Sequence, residues 1–431
     1  MSAEPDCESD AVIDVRPDAK VRLPWKKLLL GFAVFVVVLI VIAFQDEEPP
    51  SFPVFDAIDG DTDLLERPIP ELAGFTVSSD IPEEILKMES GEIDWDEVRM
   101  GEFISLHEPA LKALSGILER GDLWQTSEHE STPETGRSAP DFLGCSSLFF
   151  VKTLKSRALA RDGQIAASLA EGLELLETAH HMEQADGTLL ARFIGLRVHS
   201  MGLTAVEDSI NVSGEMETYQ WRSFQSRFAE LEPDPERFAR SFAVEYHIVK
   251  EHVEAVRQAR RGNYDTGSFP IQGPLFLRPN KTCRLYGEAL LANYEAARQP
   301  VLTEPTMPPA VLAVLDPANA WRTYCSTNAY GNHLLRESGL GVGSRVINKL
   351  AGLRARHRLL LVKIATQRLR IRENRLPLTL DELVPEFLET VPIDPADGAP
   401  LRHDPATGEV WSLLPHIDRV QLGCEAEADT P

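Results

Sequence analysis

The sequence predicts a mainly α-helical protein that is anchored in a membrane near its N-terminus. Three features support this fold class: an uninterrupted apolar run from Leu28 to Phe44, apolar residues at helical spacing through much of residues 102–374, and a turn-rich segment with short alternating stretches near the C-terminus. About 385 residues follow the run, enough for a hydrophobic core. We therefore expect a transmembrane helix, a domain of helical hairpins and a small α+β tail.

The apolar run is long enough to cross a membrane. Its 17 residues span about 25 Å as a helix, against roughly 30 Å for a hydrocarbon core, and flanking side chains bridge the difference. Five basic residues precede the run, whereas Asp46, Glu47 and Glu48 follow it. The positive-inside bias therefore keeps residues 1–26 in the cytoplasm and exports the chain that follows a span at 27–45. This topology predicts a single-pass protein of the bacterial inner membrane.

A cleaved secretory signal and a pilin-type leader are the alternatives to a permanent anchor. The leader is long and acidic, and the bulky Phe44 and Gln45 stand where a signal peptidase requires small side chains. Pilin-like proteins usually carry a glutamate at the fifth position after the cleaved glycine, and Val36 occupies that place after Gly31. Both comparisons favour an uncleaved signal anchor.

Acidic residues dominate the composition, and charge is unevenly spread. The formal charge is −24, which argues against nucleic acid as a partner. Residues 46–136 hold 24 acidic and five basic residues, whereas residues 341–375 hold ten basic residues and one acidic residue, Glu373. Either both segments are solvated faces, or the basic helix packs near the acidic segment or meets an anionic envelope surface.

Four cysteines follow the predicted span and would lie in an oxidising compartment: Cys145, Cys283, Cys325 and Cys424. Four thiols allow three connectivities. Cys283 and Cys325 flank one predicted helix and a Pro-rich connection, so we favour a disulfide between them. Buried thiols without a disulfide are the alternative.

The exported chain is expected to begin with a stalk and to continue as helices. Residues 46–82 are rich in Pro and Asp and show no sustained period, which is typical of a spacer. A helix is predicted over residues 102–120. Three more are predicted between Phe142 and about Ile210, separated by turns at Asp162-Gly163 and at Asp186-Gly187. Short turns make antiparallel neighbours, so these helices resemble tetratricopeptide-like hairpins without the 34-residue consensus.

Three further helices complete the predicted exported domain, residues 83–372. They cover about 235–261, the residues after Pro279, and 343–374. Thr282 or Asn280 is expected to cap the helix that follows Pro279. Apolar residues fill one side of the longest helix and arginines fill the other, so its basic face is expected to be solvated or paired.

Residues 373–416 predict a small α+β tail, followed by a C-terminal segment at 417–431. Pro377 ends the long helix, and Leu380, Leu383 and Val384 suit a short helix docked onto it. Leu401 and residues 410–413 alternate as strands around the turn at 405–408.

This tail resembles the one shared by pseudopilins and many bacterial membrane-anchored proteins: a long helix, a short helix, an Asp-Pro turn at 394–395 and a hairpin. Two further patches, residues 277–286 and 328–335, are similar to a widespread set of single-span bacterial proteins of unassigned function. The resemblance covers most of residues 100–415 and implies no active site. Val36 and the roughly 300 residues between span and long helix argue against a true pseudopilin.

Candidate chemistry is sparse, and we assign no catalytic residue and no cofactor. The best metal-like cluster is His247, Glu251 and His252, because His247 and Glu251 at positions i and i+4 share a helical face. The spacing matches no named zinc motif, so no metal ligand is assigned. Asp394 and Asp397 suit calcium, although the neighbouring prolines and glycine explain a tight turn without it.

The sequence therefore predicts an envelope scaffold or protein-interaction module on the exported face of the membrane. Its expected partners are the inner membrane, through Leu28 to Phe44, and an envelope protein. A metal-dependent hydrolase and an accessory of a secretion or pilus-like assembly are the alternatives.

Overall fold

The computed structural model describes residues 81–120, 142–184, 187–212, 216–259, 277–319, 325–337 and 343–422. All of them belong to one compact unit, Glu47–Pro431. The predicted transmembrane helix, residues 46–80 of the predicted stalk and residues 423–431 lie outside the described residues.

The described chain is mainly α-helical, which confirms the predicted class. Eleven α-helices are described: α1 Glu83–Ser90, α2 Glu97–Arg120, α3 Phe142–Arg161, α4 Ile165–Gln184, α5 Leu189–Asn211, α6 Thr218–Ala229, α7 Pro235–Ala259, α8 Pro279–Ala297, α9 Pro309–Leu315, α10 Ala329–Glu337 and α11 Gly343–Glu373. Two 3-10 helices cover Pro317–Asn319 and Leu380–Leu383. Three strands are β1 Arg402–Asp404, β2 Glu409–Trp411 and β3 Val420–Gln421.

Helices α3, α4 and α5 form the three-helix series predicted between residues 142 and 210 and pack on one another. Gly163 adopts φ +74° after α3, where its N–H donates to Ala160 O at 2.9 Å and ends the helix. Helices α4 and α5 approach each other closely because glycines lie at their contact. A Cβ at Gly202 would lie 2.7 Å from Leu176 Cγ, and one at Gly172 would lie 2.9 Å from Val206 Cγ2.

Helix α5 lies at the centre of the body and is the one described helix that is long and apolar enough to suit a membrane span. It packs against α3, α4 and α11, and half of its apolar window is buried inside the protein. It also carries Arg192 and His199 into the core. Burial in the protein therefore explains its apolar composition, and as evidence for a membrane span this mid-chain helix is weak.

Helix α2 begins five residues before the predicted start because Asp96 caps it. The Asp96 carboxylate accepts the backbone N–H groups of Val98 at 3.0 Å and Arg99 at 3.1 Å. Asp234 caps α7 in the same way, through Glu236 N at 2.9 Å.

The predicted cap of α8 is wrong. Arg278 is the N-cap residue, and Thr282 lies inside the helix. The side chain of Asn328, just before α10, accepts both Arg278 N at 2.7 Å and Thr282 Oγ1 at 3.1 Å. Residues 277–286 and 328–335, two separate patches of the sequence, are therefore joined by this buried polar contact.

The tail folds back on the C-terminal half of α11. The predicted short helix is the 3-10 turn Leu380–Leu383, whose leucines are buried against Leu359, Val362 and Leu369. Strands β1 and β2 pair antiparallel around the predicted turn, with His403 opposite Val410. Strand β3 then adds to β2, with Val420 opposite Val410, and so extends the sheet beyond the predicted boundary at 416.

The arginines of α11 serve mainly as internal contacts. Arg354 and Arg358 both pair with Glu232, at 3.1 and 2.7 Å. Arg356 pairs with Glu207 on α5 at 2.5 Å. The expectation that the basic face is solvated or paired is therefore met by pairing at these arginines, whose partners lie outside the acidic segment 46–136. The basic face is bonded to the protein's own core helices and the loop after α6.

Candidate functional site

A cleft of about 820 Å³ opens between α5, α11 and the chain around β3. The helices α5 and α11 run parallel. Glu207 of α5 pairs with Arg356 of α11, and further towards the C-terminus of both helices Asn211 Oδ1 accepts a hydrogen bond from Lys363 Nζ at 2.5 Å. The volume suits a small ligand or a short peptide segment. The lining residues are Ser200, Glu207, Leu302, Glu304, Asn348, Lys349, Gly352, Leu353, Arg356, Leu359, Leu414, Pro415, His416, Ile417, Asp418 and Val420.

The floor of the cleft is apolar and tightly packed. Leu353, Leu359, Leu414 and Val420 are buried. At Gly352 a Cβ would lie 3.4 Å from Ile417 Cδ1, so the tail approaches the helix closely at this point. The floor is therefore built jointly by α11 and the C-terminal segment, and it exists only when the tail is docked.

Two basic side chains of α11 line the cleft, Lys349 and Arg356. Arg356 is held by Glu207 and by Thr204 Oγ1 at 3.1 Å. Lys349 makes no hydrogen bond or ion pair with any described residue. Burial lowers the pKa of Lys349, and the charge of Arg197 on α5 lowers it further. Of the two, Lys349 is therefore the cation without a partner in the described structure.

Two carboxylates also line the cleft. Glu304 and Asp418 are exposed, and within the described chain neither has a hydrogen-bond or ion-pair partner. His416, in the same stretch of the tail as Asp418, has φ +67°, a left-handed backbone that is uncommon outside glycine and asparagine. Charges of both signs therefore line the cleft together with its apolar floor.

This geometry is suited to binding. Ser200 and His416 both line the cleft, but no hydrogen bond joins them in the described structure. An activated serine nucleophile needs such a base within reach. The sequence placed Lys349 on a predicted basic helix, but it gave no signal that Arg197, on another helix, lies near it.

Comparisons with family models, curated proteins and solved structures found no significant match.

A second cleft, of about 710 Å³, lies between α6, α11 and residues 385–393. Two of the three arginines in its lining, Arg358 and Arg368, are bonded to the protein. Arg358 Nη1 donates to Ile393 O at 2.8 Å, and Arg368 Nη1 donates to Gln225 Oε1 at 2.7 Å. Gln225 in turn donates to Phe387 O at 2.5 Å. These contacts fasten the tail to α6 and α11.

The weak metal candidates lie on α7, as predicted. His247 is half-buried and close to the Tyr246 ring, whereas Glu251 and His252 are exposed. Across the described ranges, no three histidine, cysteine, aspartate or glutamate side chains are grouped as metal ligands.

The calcium candidate is a salt-bridged turn. Asp394 is fully buried, and its carboxylate accepts Ser412 Oγ at 2.6 Å, Leu413 N at 2.8 Å and Arg402 Nη1 at 2.5 Å. Arg402 also binds Asp397, so its guanidinium occupies the position between the two carboxylates that a cation would take.

The favoured disulfide is not formed in the structure. Cys283 is buried in α8, whereas Cys325 is exposed in the turn before α10. Pairing under oxidising conditions stays a prediction, and thiol titration of the purified protein checks it.

Two buried histidines face each other in the core, and no pattern in the sequence predicted this pair. His199 on α5 and His357 on α11 are fully buried, with ring centroids 5.7 Å apart. Neither ring nitrogen of either residue has a hydrogen-bond partner of ordinary geometry. Phe228 stacks on His357 at 4.1 Å. Burial lowers the pKa of both imidazoles, to about 3 for His357, so both are neutral in the folded protein.

Proposed function

We propose that this protein is a membrane-tethered interaction module whose exported helical body binds an envelope protein through the cleft between α5, α11 and the tail. The observation that carries the proposal is the cleft itself, which combines an apolar floor with three charged lining residues, Lys349, Glu304 and Asp418, that have no partner within the described structure. Unpaired charges around an apolar floor are typical of recognition surfaces, where a partner supplies the missing counter-charges.

The tether is supported by the sequence. The apolar run Leu28–Phe44 has the length, the preceding basic residues and the following acidic residues of a signal anchor. The packed series α3–α5 resembles tetratricopeptide-like hairpins, an architecture that commonly presents protein-binding grooves.

Two measurements in intact cells test this function. Reporter fusions before residue 27 and after residue 46 should place the first in the cytoplasm and the second outside it. Cross-linking of the full-length protein should recover an envelope protein. An internal location of residues after 46, or cross-linking that recovers no envelope protein, would contradict the proposal.

A role as accessory of a secretion or pilus-like assembly is a narrower form of the same function. Its support is the tail, in which a 3-10 turn and a small sheet dock on a long helix as the pseudopilin resemblance implies. Recovery of a secretion or pilus component in the same cross-linking experiment would favour it.

A further inference from the structure

The second cleft, between α6, α11 and residues 385–393, has two ends that the contacts across it distinguish. Glu232, just beyond α6, pairs with Arg358 of α11 at 2.7 Å. Gln225, within α6, accepts a hydrogen bond from Arg368 Nη1 of α11 at 2.7 Å. The earlier residue of the α6 side therefore meets the later residue of α11, so the two chains run antiparallel along the cleft.

The tail runs along the same cleft in the direction of α6. Phe387 O accepts a hydrogen bond from Gln225 Nε2 at 2.5 Å, and Ile393 O accepts one from Arg358 Nη1 at 2.8 Å. One end of the cleft, which we call the Gln225 end, thus brings together Gln225, Arg368 and Phe387. Arg358 and Ile393 mark the other end.

Arg222 adds a second cation to the Gln225 end. It lines the cleft and lies one helical turn before Gln225 on the same face of α6. Arg222 is exposed and makes no hydrogen bond or ion pair with any described residue. Arg368 donates to the neutral amide of Gln225, and its buried Nε has no hydrogen-bond partner. Burial lowers the pKa of Arg368, and the nearby charge of Arg222 lowers it further.

Four glutamates also line the cleft, but within the described structure none of them pairs with either of these cations. Glu386, at the Gln225 end, is held by Arg372. Glu230 and Glu232 lie beyond the C-terminal end of α6, and Glu389 lies further along the tail, towards the other end. The Gln225 end therefore holds two positive charges without a carboxylate partner in the described structure.

Two neighbouring guanidinium groups suit a doubly charged oxyanion. Each guanidinium presents N–H donors in a planar fork that matches the oxygens of carboxylates and phosphates. A phosphate monoester carries a charge of about −1.5 to −2 at pH 7 and three acceptor oxygens, so it matches both cations, whereas a carboxylate matches one. Ser226, one turn after Arg222 on the same face, adds a hydroxyl donor to the lining.

We propose that the Gln225 end of the second cleft binds the phosphate group of a soluble phosphate monoester, held by Arg222 and Arg368 with Ser226 as a further donor. Binding there removes the repulsion between two cations that lie close together in a partly buried place. The cleft volume of about 710 Å³ is within the range of small-molecule sites. This site shares no lining residue with the first cleft and is independent of the interaction function proposed above.

Equilibrium dialysis of the full-length protein in neutral detergent against radiolabelled inorganic phosphate tests this proposal. Sodium chloride keeps the ionic strength constant, so that electrostatic screening is the same in every measurement. We expect saturable binding of one phosphate per chain. Acetate, and phosphatidylglycerol in mixed micelles, serve as competitors and should displace phosphate only weakly, because each carries a single charge.

Substitutions of the two arginines locate the binding. Arg222→Gln should weaken phosphate binding about fivefold, the scale of a partly exposed ion pair, and Arg222→Lys, which keeps the charge, should weaken it less. Arg368→Gln should weaken binding at least as much as Arg222→Gln. Arg345→Gln removes an exposed arginine of α11 that has no partner in the described structure, and as the matched control it should leave binding unchanged.

Four results would overturn the proposal: no saturable binding of phosphate, equal binding by the wild type and Arg222→Gln, equal weakening by Arg222→Gln and the control Arg345→Gln, and displacement by acetate or phosphatidylglycerol at concentrations as low as those of unlabelled phosphate. Because Arg222 makes no bond within the described fold, its substitution tests binding without disturbing the fold. Failure of phosphate binding leaves the interaction function to be decided separately, by cross-linking in cells.

Discussion

Acidification is expected to destabilise this protein through the buried pair His199 and His357. Both rings lie in the core, where none of their nitrogens has a hydrogen bond of ordinary geometry, and the charges of Arg356 and Arg358 add to the cost of protonating them. Protonation of either imidazole within the fold would place an unpaired cation there. Unfolding releases both rings to water, where they accept a proton readily.

The magnitude follows from the pKa of His357, which burial lowers from 6.5 to about 3. A histidine whose pKa falls on folding contributes its full stabilisation above the unfolded pKa and loses it as the pH falls toward the folded pKa. Between pH 7 and pH 5 the loss from His357 is about 2 kcal/mol. The lowered pKa of His199 acts in the same direction.

Denaturant unfolding of the full-length protein in neutral detergent, at pH 7 and at pH 5, measures this effect. His357→Phe keeps an aromatic ring against Phe228, which stacks on His357 with an interplanar angle of 8°, but removes one proton site. The variant should lose about 2 kcal/mol less stability than the wild type on acidification. His252→Gln, at an exposed position, is the matched control and should behave as the wild type. Equal losses for wild type and His357→Phe would refute the reasoning.

Three further substitutions have defined outcomes. Burial raises the pKa of Glu183 from 4.5 to about 7, so ionisation of this carboxyl group lowers the free energy of unfolding as the pH rises through that range. In denaturant unfolding, Glu183→Gln should therefore stabilise the protein at pH 8 by up to about 3 kcal/mol, but not at pH 4. Asp394→Asn should lower the free energy of unfolding by about 3 kcal/mol, because the buried carboxylate accepts hydrogen bonds from Arg402 and Ser412. Calcium should not restore the lost stability, and calcium-dependent stabilisation of the wild type would contradict this prediction. Gly202→Ala should lower the free energy of unfolding by about 1–3 kcal/mol, because its Cβ would lie 2.7 Å from Leu176 Cγ. Gly116→Ala has open space around its Cβ and should be neutral or stabilising.

The sequence predicted the elements whose signals are local. The turn at Asp162-Gly163 ends α3 because glycine accepts a left-handed backbone, and this can be read from two residues. The long apolar period of α11 located that helix to within one residue of its observed end at Glu373. The hairpin β1–β2 formed around the predicted turn for the same reason.

Contacts between distant segments were not predictable in this way. The side chain that binds the N-terminus of α8 belongs to Asn328, 50 residues beyond the N-cap residue Arg278, so the neighbouring Asn280 and Thr282 were the wrong candidates. The partners of the α11 arginines, Glu207 and Glu232, follow from which helices pack together rather than from any charge run. The candidate site has the same origin, because Lys349 and Arg197 lie on helices far apart in sequence and the floor of the cleft needs the folded tail.

Position-resolved photo-cross-linking in intact cells tests the central claim most directly. A photoreactive residue is placed at Lys349, in the cleft wall, and at Lys112, on the exposed side of α2. We expect the probe at Lys349 to yield a cross-link to an envelope protein and the probe at Lys112 to yield none. Equal cross-linking at both positions, or cross-linking at Lys112 alone, would show that the cleft is not where the partner binds.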